Sequence, residues 1–438
     1  MRVLVTNTSS GQAYTLVRCL RPYADRLIAT QSEPLRLGFI PNGHAAYSRL
    51  VDQQYRVPDP TLDWRAGRIQ AENTEHEQAF IAAILDVCER EKIDTIFPST
   101  DAWVYVLSKN KETFEQRGIV LPTPDYETVA TPLDKYRTIQ CALAAGFPAP
   151  RTYLAESDAD VSRIASELEP PWVIKLRFTS GGRGLAIVER SSELVEMTRK
   201  ARQRHGAPLV QEYIPGKENR SLYLVVDRRG QVLSALSAKS IRTSAHNFRS
   251  QSIASELDLP SAYLLEQATR LVRHIGWYGG ITVQVKIDAR DGKPKLMEMN
   301  PRLGIHLWFR TELGINEPIM CLKIARNEDV EPVTEYPLGC LLLKPIEDAI
   351  ALPFDLLDMA AYRLRVLFRG GRVMDPSNRP LTVRELFASY RAHYLGDRQR
   401  RFSPQFRYAL EDPLPSLLWS VEVLAGYVKL LVGGQLGR

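Results

Sequence analysis

Gly279-Gly280-Ile281-Thr282-Val283-Gln284-Val285-Lys286 and, beyond the turn Ala289-Arg290-Asp291-Gly292, Leu296-Met297-Glu298-Met299-Asn300-Pro301-Arg302 are the residues that decide the fold. Two apolar, β-branched runs around an Asp-Gly turn predict an antiparallel hairpin. Side chains alternate along a strand, so pairing places Gln284, Glu298 and Asn300 on one face. Oxygen ligands converging in this way suit a hard cation, Mg2+, bridging triphosphate oxygens. A solvated polar face is the alternative. Leu296, Met297 and Met299 give it poor polar alternation, and Asn-Pro-Arg is an unusual way to end a strand.

Two stretches upstream carry related chemistry. In Val173-Ile174-Lys175-Leu176-Arg177-Phe178-Thr179-Ser180-Gly181-Gly182-Arg183-Gly184 a strand delivers a lysine, and a hydroxyl-bearing glycine loop follows. Backbone N–H groups in such a loop can approach a phosphate closely. The lysine precedes the glycines, so this is not a Walker A loop, and a plain hairpin turn remains open. In Val210-Gln211-Glu212-Tyr213-Ile214-Pro215-Gly216-Lys217-Glu218 a strand runs into a Pro-Gly turn with a carboxylate just past it. Strand-edge backbone can read an adenine edge and a carboxylate can accept ribose hydroxyls, though Pro-Gly alone marks a turn.

Taken together and in this order, the three motifs resemble the ATP-grasp superfamily, within it the carboxylate-amine ligases, and most closely one half of the carbamoyl phosphate synthetase large chain. The resemblance covers about residues 1–330. It implies a Rossmann-like α/β domain over 1–122, a small ATP-grasp lobe over 123–214 with its glycine-rich flap, and a large lobe over 215–334 with the metal site. An extra Arg-rich region fills 335–438. The fold class is thus α/β and α+β. By the same resemblance Lys135 and Lys175 hold phosphates, and Ser180, Gly181, Gly182 and Gly184 form the flap. Gln211, Glu212, Tyr213 and Ile214 meet adenine and Glu218 the ribose. Gln284, Glu298 and Asn300 hold Mg2+, with Mn2+ as a substitute, and Arg302 faces the acyl phosphate. The implied reaction joins a carboxylate to an amine, releasing ADP and phosphate. Many family members have an acid where Gln284 stands, whereas carbamoyl phosphate synthetase has the same Gln. Phosphorylation of carbonate or carbamate, and a non-catalytic nucleotide-binding scaffold at a membrane, are the alternative functions.

Working outward, residues 1–100 alternate strands (2–6, 27–30, 95–98) with helices (13–20, 78–91), the pattern of a parallel sheet. The loop Asn7 to Gln12 has one glycine, so a structural turn is preferred to a ligand loop. Phe97 to Asp101 lies at a strand end where open α/β sheets present ligand contacts. The Pro-rich passage 121–132 reads as a linker, and Asp134 caps a helix running to Ala145. Lys239 to Arg249 reads as a basic loop, in which Arg242 is taken as catalytic and His246 as a surface histidine.

At 438 residues, 44% hydrophobic and 25% charged, the chain is globular, with a prior of about three domains. Five scattered cysteines without a Cys-x-x-Cys pair argue against a disulfide framework or zinc cluster. No signal-peptide pattern opens the sequence, and a cytoplasmic location is expected. The net charge of +6 is unevenly placed: residues 361–410 contain eleven Arg, no Lys and three acids. That pattern argues against a nucleic-acid protein, and small molecules are the expected partners, with homodimerisation compatible. Leu414 to Val432 is mostly apolar, with Leu417, Val421, Leu424, Val428 and Leu431 on one helical face. Packing through that face is preferred to an interfacial membrane anchor, and Glu422 and Lys429 argue against a spanning helix.

Overall fold

The computed structural model describes residues 1–32, 43–61, 64, 69–179, 184–243, 252–333, 335–336, 338–368 and 381–433. Its first sheet is built from β1 (Arg2–Thr6), β2 (Arg26–Ser32), β3 (Gln53–Val57) and β4 (Thr95–Pro98). All neighbours are parallel, in the order β3-β2-β1-β4. Helices α1 (Gly11–Leu20), α2 (Glu75–Glu91) and α3 (Asp101–Lys109) accompany them. Two elements escape the sequence pattern. β3 is a polar edge strand, and α3 is buried along almost its whole length, so neither shows an amphipathic period. α2 begins three residues earlier than predicted because Thr74 and Glu77 close a capping box. Beyond the carboxyl ends of β1 and β4 the loops are tied together: Asn7 Nδ2 donates to Thr100 Oγ1 at 2.8 Å and Ser10 Oγ to Ser99 Oγ at 2.9 Å.

The passage expected to be a linker is ordered instead. α4 (Tyr126–Leu133) occupies it, because Val129 and Leu133 are buried against the first domain and supply an apolar stripe that the prolines obscure in the sequence. α5 (Lys135–Ala144) follows, capped by Asp134 as predicted. The second sheet has β5 (Thr152–Leu154), β6 (Trp172–Lys175), β7 (Ala186–Val188) and β8 (Leu209–Glu212) in the antiparallel order β5-β8-β6-β7. It is backed by α6 (Asp158–Glu167) and α7 (Ser191–His205), whose Ile164 and Leu194 bury against Trp172, Ile174 and Val210.

The third sheet has seven strands: β9 (Asn219–Val226), β10 (Val232–Thr243), β11 (Ser252–Asp258), β12 (Gly279–Ile287), β13 (Pro294–Asn300), β14 (Leu341–Leu343) and β15 (Arg400–Phe402). Their order is β13-β12-β9-β10-β11-β14-β15, and α8 (Ala262–His274) packs on the apolar face of the first strands. The expected basic loop is corrected here. Lys239 to Thr243 continue β10, which pairs with the unanticipated β11; His246 and its neighbours in 244–251 lie outside the described residues.

β14 pairs antiparallel with β11 and β15 parallel with β14, so the C-terminal region lengthens this sheet. It also supplies α9 (Pro345–Phe368), α10 (Val383–Tyr390) and α11 (Pro413–Gly433). α11 packs, but not through the face the sequence favours. Ser416 and Tyr427 are buried, and Trp419 and Glu422 turn the same way, against α9 and the one-turn helix His44–Tyr47. Leu414, Leu417, Leu424 and Val428 are left exposed. The polar atoms of Trp419 and Glu422 find partners or neighbours inward, which fixes the helix rotation against simple hydrophobicity. Among the described residues no helix is long and apolar enough to cross a membrane.

Candidate functional site

The predicted hairpin forms. Gln284 stands opposite Glu298 and Thr282 opposite Asn300, so the three oxygen-bearing side chains share one face. Asn300 Nδ2 lies 3.5 Å from Glu298 Oε1. A cleft lined by Glu298 and Asn300 is closed by Lys135, Thr179, Trp64 and Asp101. The first domain thus supplies part of the wall, from the carboxyl end of β4, as open α/β sheets do.

Lys175, the last residue of β6, is buried, and burial lowers its amine to about 8; Glu298 works against that shift, while Lys135 and Lys286 add to it. Three lysines therefore share one field around a single carboxylate. Lys286 was not singled out from sequence, although it lies two residues beyond Gln284. Lys135 donates its ammonium to the Thr179 carbonyl at the base of the flap. Asp134 holds this corner together: it caps α5 at Tyr136 N and Arg137 N and takes both Nε and Nη2 of Arg177, at 2.9 and 2.7 Å. Arg177, also not anticipated, ties the flap base to the helix that carries Lys135.

Arg302 donates from Nε to Asp101 Oδ1 at 2.8 Å and approaches Asn300 Oδ1 at 3.5 Å. It therefore stands at the end of the oxygen cluster. Ser180, Gly181 and Gly182 lie outside the described residues. Gly184 is described, with φ +68°, and a Cβ there would stand 2.3 Å from the Leu176 side chain. Only glycine fits that turn.

The expected adenine edge is more varied. Gln211 is buried inside the second sheet, donating to Thr152 Oγ1 at 2.8 Å. Glu212 is paired with Arg290 at 2.8 Å and Arg151 at 3.7 Å. The Tyr213 ring lies 5.1 Å from Lys286 Nζ, joining this edge to the lysine cluster, and Ile214 is buried. Glu218 is bridged by Arg220 at 2.6 Å and Lys239 at 2.8 Å. Burial works to raise its pKa, but the two cations prevail and hold it below the ordinary carboxylate range.

Arg242 is not brought into the cleft. Its guanidinium is buried against Asp348 and Asp355, 3.1 Å away, and lies over the Tyr390 ring, fastening β10 to α9 and α10. The expected catalytic role gives way to a structural one because both acids come from a C-terminal segment whose position sequence could not supply.

Residues 134–329 match the family described as carbamoyl-phosphate synthase L chain, ATP binding domain. The carbamoyl phosphate synthase large chain of Campylobacter jejuni is 25% identical over 232 residues, 51% of this chain and 21% of that protein. The chain spans about a fifth to a third of the length of these curated relatives. Among solved structures, the biotin carboxylase of Campylobacter jejuni in a β,γ-ATP complex superposes with TM-score 0.58 at 19% identity, over 75% of this chain and 72% of that one. The biotin carboxylase domain of Hydrogenobacter thermophilus 2-oxoglutarate carboxylase, solved with MgADP and bicarbonate, gives 0.57 at 19% identity, covering 77% and 72%.

The likeness over residues 134–329 is thus to an ATP-binding domain. ATP and Mg2+ are the cofactors of this family. Among the described residues no three His, Cys, Asp or Glu side chains converge on a metal position. The other carboxylate of the cleft, Asp101, is engaged by Arg302, so a cation there would rest on Glu298 with amide oxygens of Asn300 and Gln284, a donor set that suits Mg2+ carrying phosphate and water oxygens.

Proposed function

We propose that the protein is a cytoplasmic ATP-dependent ligase that joins a carboxylate to an amine, with amino acids or peptides as substrates. The observation that carries this reading is a cleft lined by Lys135, Glu298 and Asn300, with the buried Lys175 in the field of Glu298 and Lys135 and Arg302 beside Asn300. A carboxylate oxygen of the substrate attacks the γ-phosphorus of ATP, and the bond from that phosphorus to the β-bridging oxygen breaks, giving an acyl phosphate and ADP. Lys135 and Lys175 balance the charge spread over the transferring phosphoryl oxygens. Glu298, Asn300 and Gln284 would hold Mg2+, which would supply further neutralisation of phosphate charge. The lone pair of a neutral amine then attacks the carbonyl carbon, the bond to phosphate breaks, and the amine loses its proton to solvent. Arg302, oriented by Asp101, holds the carbonyl oxygen as it gains charge. The cleft, closed over by the flap base, keeps water from the mixed anhydride.

Phosphate release from Mg-ATP, screened against pairs of amino acids and dipeptides, tests the reading. A ligase releases phosphate only when acid and amine are both present. Release with bicarbonate alone would favour the carbonate or carbamate kinase that the synthase likeness suggests, and no release under any condition would leave a nucleotide-binding scaffold. Peripheral contact with an anionic membrane is a separate proposal. It is supported by the exposed stripe Leu410, Leu414, Leu417, Leu424 and Val428 and by the arginine-rich residues before it.

A further inference from the structure

An indole N–H can only donate, and buried donors in a folded chain find acceptors, so one left without calls for an oxygen from outside the chain. Trp64 of the first domain is 3% exposed, and among the described residues its Nε1 has no partner. Trp103 and Trp277 also bury an unpartnered Nε1, but neither lines the cleft. Trp64 does, together with Asp101, Lys135, Thr179, Glu298 and Asn300. Its ring packs against Tyr105, with centroids 5.6 Å apart, and edge-on against Phe178 at the flap base, at 6.4 Å. The Arg177 guanidinium stands 5.0 Å from the same Phe178 ring and is itself fixed by Asp134. The indole is thus held by the first domain on one hand and by the flap base on the other.

The oxygens that line the cleft are turned to other donors. Asp101 Oδ1 accepts from Arg302 Nε at 2.8 Å, the Thr179 carbonyl accepts from Lys135, and Glu298 Oε1 lies 3.5 Å from Asn300 Nδ2. The walls leave a volume of about 10 Å³, room for about one water-sized group, so a single oxygen reaching in meets the lining side chains at contact distance. The neighbours say which oxygen that is. Asp101 and Asn300 are the residues that Arg302 touches, at the end of the cleft where the acyl phosphate forms, and Lys135 and Glu298 serve phosphate and cation. The terminal phosphate of ATP is the group that extends to this end, whereas ADP stops one phosphate short of it.

We propose that Trp64 binds the γ-phosphate of ATP, its Nε1–H donating to a non-bridging phosphoryl oxygen. This rests on the reading of the cleft as the place of phosphoryl transfer. The first domain then supplies a ligand contact of its own besides closing the wall, and the site distinguishes ATP from ADP through a neutral donor that keeps its proton at any working pH. Because the same ring packs on Phe178, a γ-phosphate held by Trp64 also favours the flap base in its closed position.

Calorimetric titration of the full chain with Mg-ADP and with the magnesium salt of β,γ-imido-ATP tests the contact. Trp64→Phe keeps an aromatic ring against Tyr105 and Phe178 and removes only the N–H and the second ring. A hydrogen bond to a charged oxygen is lost for the triphosphate alone, so the variant should bind the imido analogue about tenfold or more weakly and ADP within about threefold of the wild type. Equal weakening of both nucleotides, which packing damage would give, or no weakening of either, which a donor that meets only water would give, overturns the proposal. A wild type that binds neither nucleotide overturns the ATP reading and this proposal with it. Should Trp64→Phe not fold, the wild type decides: of its six indole N–H resonances one should move downfield with the imido analogue and stay in place with ADP. A spectrum in which none does so overturns the contact.

Discussion

Replacing Lys175 with Met should stabilise the protein and disable it at once. The Lys175 amine is held down from 10.5 to about 8, with burial as the leading cause. At about 1.4 kcal/mol per tenfold change in proton affinity, the charged form costs the folded chain about 3 kcal/mol. Met matches the length of the stem and carries no charge, so Lys175→Met should recover most of that. For a unit the size of residues 134–329 this is a rise of roughly 6–12 °C in the unfolding midpoint. The gain has a defined pH dependence. Below pH 8 the folded and unfolded forms are both protonated at this position and the penalty is complete. Between pH 8 and 10.5 the unfolded chain holds more protons, so the wild type gains stability as pH rises and the variant's advantage shrinks to nothing. Removing the charge from the phosphates should meanwhile cut turnover by about 10²–10³-fold. Calorimetry of the nucleotide-free protein at pH 7 and pH 10, beside phosphate release, measures both halves. A destabilised Lys175→Met, or an advantage that does not shrink with pH, would refute the desolvation argument; retained turnover would refute the phosphate role.

Glu298→Gln should raise the Mg2+ concentration needed for half-maximal phosphate release at least tenfold while changing adenine-nucleotide affinity less, whereas Gln284→Glu should lower that requirement; a Mg2+ titration of both variants decides. Arg242→Met leaves Asp348 and Asp355 buried without their cation and should cost about 3–5 kcal/mol by chemical denaturation. A catalytic Arg242 would instead lose turnover at unchanged stability. Truncation after Pro413 removes Trp419 and Tyr427, whose ring stacks on Phe354 at 4.7 Å, and should yield insoluble or inactive protein. Salt-sensitive sedimentation of the intact chain with anionic vesicles would support the exposed leucine stripe of α11 as a membrane contact, and its absence would remove it.

Local signals were legible where one short stretch holds both the pattern and its reason. The alternation around Gln284 and Glu298 assigns a shared face, and the Asp134 cap marks the start of α5 to the residue. What failed depended on partners far along the chain. Arg242 looks like any basic residue until Asp348 and Asp355 arrive from 106 and 113 residues away. β3 is hidden by its polar edge position, and α4 by its prolines. The rotation of α11 was misread because hydrophobicity alone cannot weigh the inward pull of Trp419 on Glu347. In the site, Lys135 and Asn300 stand at a helix start and a strand end that motif order could anticipate, whereas the tie of Arg177 to Asp134 and the place of Trp64 appear only once the lobes are folded.

The contact between the first helix and the last segment also bears on how the chain is made. Tyr14 on α1 donates to Asp412, 398 residues away, and Ser48 reaches the same carboxylate. At about 5–20 residues per second, roughly 20–80 s of synthesis separate the two. Until the last segment is made, Tyr14 and His44 lack the cover that Asp412 and Trp419 give them, although residues 307–322 already pack on α1. Ribosome-bound chains stalled before residue 412 should therefore be more open to protease around Tyr14 and Ser48 than finished ones.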